Sequence, residues 1–136
     1  MTPQKKIVLL FIILEIIFSG ILVYNTKTDS EICAPGFDCL EVQNSQYSYF
    51  LGIKLSTLGL VSFTALLIIY LLSLKYKHIE RLYLASVILG TTGAIYFLYI
   101  QAFILKAFCS TCVTIDLLMI IIFIFALYDL KTSKHR

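Results

Sequence analysis

The chain has 136 residues, 60% hydrophobic and 14% charged, with a mean hydropathy of +0.92 and a formal net charge of +3. These values exclude an ordinary soluble globule, which must cover its surface with polar side chains. The cations that give the positive charge flank apolar runs, which points to membrane topology and not to a nucleic-acid partner.

Four apolar runs occur in order, over residues 7–24, 55–74, 82–105 and 109–128. Each matches the roughly 20 residues that a helix needs to cross about 30 Å of hydrocarbon. Helix is favoured over strand, because an open strand would leave backbone groups unpaired in lipid and the runs do not alternate as barrel strands do. The predicted fold class is an all-α integral membrane protein, a bundle of four transmembrane helices forming a single membrane domain over 1–136. Short connections make neighbouring helices antiparallel, and the long connection is the loop over 25–54.

The first run follows Lys5 and Lys6, as a signal peptide would, but no small-x-small cleavage site follows Tyr24. Placing both termini in the cytoplasm puts Lys5, Lys6, Lys75, Lys77, Arg81, Lys131, Lys134 and Arg136 inside and only Lys27, Lys54 and Lys106 outside. The loop over 25–54 is then extracytoplasmic, and so are all four cysteines, as an oxidising compartment would favour.

Cys109-Ser110-Thr111-Cys112 has the spacing of disulfide exchangers and opens the fourth helix. There the helix N-terminus, with Lys106 nearby in sequence, should favour the Cys109 thiolate, while Cys112 sits deeper toward the lipid. Cys33 and Cys39 flank a Pro35-Gly36 turn, and this loop pair is expected to be mobile and water-exposed. Two static disulfides would use the same residues, and so would a four-thiolate zinc site. Neither explains a C-x-x-C at the membrane boundary, and no metal is expected.

Asp116, four residues after Cys112, falls one turn below it on the same helix face. It is a candidate proton relay or tuner of Cys112 toward a lipid-soluble oxidant; the alternative is a protonated acid bonded to a neighbouring helix. Glu15, midway along the first run, carries the same two readings. Tyr47, Tyr49 and Phe50 suit either the ring of a lipid-soluble cofactor or interfacial anchoring, and Gly90 and Gly93 suit close helix contact.

With these residues in order, the chain resembles the vitamin K epoxide reductase family, in particular its prokaryotic-type members. The likeness is carried by Cys33 and Cys39, by Val42, Ser45 and Tyr47, and by Phe50-Leu51-Gly52-Ile53 with Leu55-Ser56. It continues through Tyr99, Lys106-Ala107-Phe108 and the C-x-x-C. The resemblance implies a helical bundle around a quinone of ubiquinone, menaquinone or vitamin K type. It also implies a quinone-coupled thiol oxidoreductase that supports disulfide-bond formation. In that scheme Cys33 meets a thioredoxin-like (DsbA-like) protein, Cys39 exchanges with Cys109, and Cys112 reduces the quinone, with Ser45 near the cofactor.

Many relatives carry a fused thioredoxin-like domain, and a chain closing at Arg136 implies a separate partner. Lys54 and Gln101 depart from the proline and glutamate of many relatives. The implied location is a prokaryotic plasma membrane, with the endoplasmic reticulum as the alternative. The competing functions are a eukaryotic-type epoxide and quinone reductase and a non-catalytic membrane subunit stapled by disulfides.

Overall fold

The computed structural model describes residues 2–28 and 35–135. The spanning helices are α1 (Pro3–Thr28), α3 (Leu55–Lys75), α4 (Ile79–Tyr99) and α5 (Ser110–Lys134). All four are long and apolar enough to cross a membrane. The protein is a four-helix integral membrane bundle. The helices overrun the apolar runs at their ends, because polar residues such as Lys5, Lys6, Lys131 and Thr132 can continue a helix into the headgroup region without leaving backbone groups unpaired.

α1 packs against α3 and α5, and α4 packs against the same two, so the helices close a ring with α1 diagonal to α4. Inside it lies a tight apolar core in which Ile12, Val87 and Ile122 have no solvent exposure. Outside, Leu89 and Val61 face outward, as lipid-facing side chains do. Tyr70 and Tyr83 pack ring against tilted ring with centroids 5.1 Å apart, and the Tyr70 hydroxyl donates to the Lys5 carbonyl at 2.9 Å, pinning the start of α1 to the bundle.

Two departures from regular helix shape the end of the bundle that carries the cysteines. First, α4 runs directly into a π-helical turn over Ile100–Leu105, which stops at Lys106 in the left-handed conformation (φ 51°). The wider π turn carries the polar Gln101 to a buried position, 3% exposed, inside the ring.

Second, the connection before α3 is structured. A short helix, α2 (Cys39–Asn44), is followed by a 3-10 turn (Gln46–Ser48) and a two-stranded hairpin, β1 (Tyr49–Phe50) and β2 (Ile53–Lys54). Leu51 and Gly52 both have positive φ (52° and 81°), the condition for a two-residue turn that matches strand twist. The turn leaves Leu51 almost fully exposed beside Phe50, an apolar tip suited to the membrane interface.

In lipid, burying Ile122 gains little by transfer, so its contribution is mainly the space it fills. Ile122→Ala should destabilise the bundle by roughly 2 kcal/mol, the cavity share of a large-to-small change, in a reversible unfolding titration in mixed micelles.

Candidate active site

Cys39 opens α2, and α2 is fastened to the mouth of the bundle by a backbone bond. The amide of Asp38, just before the helix, donates to the carbonyl of Phe108, just before the C-x-x-C, at 3.0 Å. From this anchor Cys39 and Val42 turn the same face inward and join Leu22, Ala107, Cys109 and Ile115 in a second buried cluster. Cys39 Sγ lies 3.8 Å from Ser110 Oγ, inside the C-x-x-C.

Cys39 is disulfide-bonded. Cys33 falls outside the described residues. The expectation of a water-exposed loop pair is corrected at Cys39, which is only 2% exposed. Residues 39–44 form a helix with a cysteine and a valine three apart, and that face is buried.

Cys109 caps α5. Its Sγ accepts from the Cys112 amide at 3.3 Å, its own amide donates to Gln101 Oε1 at 3.0 Å, and its carbonyl accepts from Val113 at 2.9 Å. The Cys112 thiol is the strongest influence on the Cys109 sulfur. Backbone amides of Cys112 and Thr111 and the Gln43 side chain add to it against the opposing effect of burial, and the thiol pKa is lowered from 9.0 to about 7.

The helix N-terminus thus acts on Cys109 as expected, whereas Lys106 does not. It stands exposed at its left-handed turn and is not among the groups that act on this sulfur. Cys109 is itself fully buried, and both Cys109 and Cys112 carry free thiols.

Beneath the cysteines lies a cavity of about 240 Å³ between the helices. Ser45, Cys112 and Asp116 all line it, so the loop residue Ser45 shares one space with the first turns of α5. Its walls are largely apolar, including Leu55, Phe63 and Phe97. Into this setting come buried polar atoms without hydrogen-bond partners: Asp116 Oδ2, Ser56 Oγ and Gln43 Oε1. Asp116 is 9% exposed. Ser45 precedes the 3-10 turn without capping it; its hydroxyl donates back to the Val42 carbonyl at 2.8 Å and pairs with Ser48 Oγ at 3.2 Å, which ties the end of α2 to that turn.

Sequence reasoning gave no role in the site to two side chains that build it. Gln43 sits one turn after Cys39, a spacing that places both on one face of a helix once that helix is foreseen. Gln101 was visible as a lone amide in an apolar run, but its reach to Cys109 depends on the π turn.

Spanning helices around an apolar cavity, with a C-x-x-C at its mouth, define a membrane redox protein. The model of the vitamin K epoxide reductase family matches residues 6–127, and the chain belongs to this family of membrane oxidoreductases that act on quinones and thiols. Comparison with curated proteins gave no match. The cavity suits a quinone in chemistry: apolar walls for the ring, and an unpaired Ser56 hydroxyl that can donate to its carbonyl oxygens.

With a pKa of about 7, Cys109 is half thiolate near neutral pH and thiol below it. Ultraviolet absorbance of the thiolate should show a midpoint near pH 7. Cys112→Ala, which removes the largest stabilising influence, should move that midpoint upward toward 9.

Proposed function

We propose that the protein is a quinone-coupled thiol oxidoreductase supporting disulfide-bond formation. One membrane domain carries two electrons from a separate thioredoxin-like protein, through Cys33/Cys39 and then Cys109/Cys112, to a membrane quinone of ubiquinone, menaquinone or vitamin K type. The observation that carries this reading is the juxtaposition of Cys39 with the C-x-x-C at the mouth of a cavity lined by Cys112. Thiol–disulfide exchange requires sulfur contact, and a relay requires successive pairs to be neighbours.

The partner's thiolate attacks Cys33 of the Cys33/Cys39 disulfide, forming a mixed disulfide and releasing the Cys39 thiolate. Cys39 then attacks Cys109 of the Cys109/Cys112 disulfide, which forms a Cys39–Cys109 bond and frees Cys112. As the partner completes its own disulfide, Cys33 is released; it attacks Cys39, restores the loop pair and leaves Cys109 and Cys112 as thiols. The bound quinone supplies a two-electron acceptor, and Cys109 and Cys112 return to the disulfide.

The residues around the cysteines suit these steps. Gln101 and the first amides of α5 hold Cys109 where it can exist as a thiolate, which makes it a good leaving group when Cys33 attacks the Cys39–Cys109 bond. Ser45 and Ser48 hold the end of α2, and with it the wall of the cavity, and the apolar lining excludes water from Cys112. The Ser56 hydroxyl and the Asp116 carboxyl would orient the ring by its oxygens, and Gln43 Oε1 could accept from a quinol hydroxyl. The distribution of Lys and Arg supports cytoplasmic termini and an extracytoplasmic site.

In purified protein, Cys112→Ala should abolish thiol-dependent quinone reduction; unchanged turnover would sink the catalytic reading. Cys39→Ser should accumulate a mixed disulfide between Cys33 and the partner on non-reducing gels, because the resolving thiol is gone. Adducts forming only at Cys109 would instead mean that the loop pair is bypassed.

A further inference from the structure

Glu15 lies midway along α1, has no solvent exposure, and finds no hydrogen-bond partner for either carboxyl oxygen. The thiol relay has no use for it. Burying an unpaired carboxylate in a membrane interior is costly, so such a residue stays where its proton has a task.

Its placement suggests the task. Ser19, one helical turn away on the same face of α1, lines the cavity. α1 packs against α5, the helix that carries Asp116. Asp116 is itself about nine-tenths buried, with an unpartnered Oδ2 in a side chain that lines the cavity.

We propose that Glu15 and Asp116 act as one proton store for the cavity, with Asp116 facing the reacting oxygen and Glu15 as the positioning residue behind it. This rests on the quinone-reductase reading above. Closing the Cys109–Cys112 bond breaks two S–H bonds; the two electrons pass to the quinone, and two protons must reach its two oxygens. One thiol proton goes to the farther oxygen. Asp116 gives its proton to the nearer one, and Glu15 shares its own proton with the carboxylate left behind, so that no bare charge is stranded among apolar walls. The second thiol proton, released at Cys112 one turn above Asp116, refills the pair. Protons and electrons balance, and the pair ends each cycle as it began.

The test needs no turnover. Both carboxyls are protonated in either form, but closing the disulfide removes the Cys112 thiol one turn from Asp116, so an infrared difference spectrum between the dithiol and disulfide forms of the whole protein in lipid nanodiscs should contain a shifted, derivative-shaped protonated-carboxyl band. That band should be altered by both Glu15→Gln and Asp116→Asn. Glu15→Gln keeps the shape of the neutral acid but cannot give up a proton. It should lower kcat for quinone reduction about tenfold, short of the roughly 10²–10⁴ expected for a direct general acid, leave KM unchanged and alter the pH profile, with Glu15→Asp restoring part of the rate.

A carboxyl band that ignores Glu15→Gln, or unchanged kcat and pH profile in that variant, would overturn the proposal. If Glu15→Gln fails to fold, the wild-type band and Glu15→Asp decide: a band absent from the wild type, or unmoved in Glu15→Asp, counts against it. Wild-type protein that cannot pass electrons to quinone would contradict the function reading instead, and the infrared result would still be readable.

Discussion

Electrons move between disulfides only when sulfur meets sulfur, so the proposed relay requires a polar connecting segment to be held against the end of an apolar bundle. The clamp is small. One backbone hydrogen bond, from Asp38 to Phe108, fixes the start of α2 beside the start of α5, and the buried cluster around Leu22, Val42 and Ile115 completes it. From that junction Cys39 lies against Ser110, Cys109 caps its helix, and Cys112 looks down into the cavity.

The same junction tunes reactivity. A sulfur at a helix N-terminus accepts hydrogen bonds that α5 cannot use internally, and Gln101 fixes the preceding amide, so Cys109 favours its thiolate while fully buried. Cys112 has the complementary position, one turn into the helix and at the wall of the apolar cavity. One C-x-x-C therefore presents one sulfur to the loop and the other to the membrane interior. That division is what a device joining water-soluble thiols to a lipid-soluble acceptor requires.

The four spans were legible in the sequence because the bilayer imposes length and apolarity on every crossing segment, and the apolar runs carry that signal without help from packing. The adjacency of Cys112 and Asp116 was also legible, since spacing by four along a helix fixes a shared face. The burial of Cys39 was not. It depends on a six-residue helix with weak intrinsic preference, stabilised by a contact 70 positions away in the chain, to Phe108. Gln101 escaped for a related reason: an ordinary helix and a π turn read alike in an apolar run, yet only the observed geometry brings its carbonyl to Cys109. Lys106 looked influential by sequence distance, but its left-handed turn leaves it exposed.

The relay stands or falls on direct exchange between the loop and the C-x-x-C. The most direct measurement is disulfide mapping by mass spectrometry in a Cys33→Ser, Cys112→Ser double variant, which retains only Cys39 and Cys109. Mild oxidation in the membrane should yield a peptide pair linked Cys39 to Cys109. Recovery of both as free thiols, or linked only to other molecules, would contradict the account.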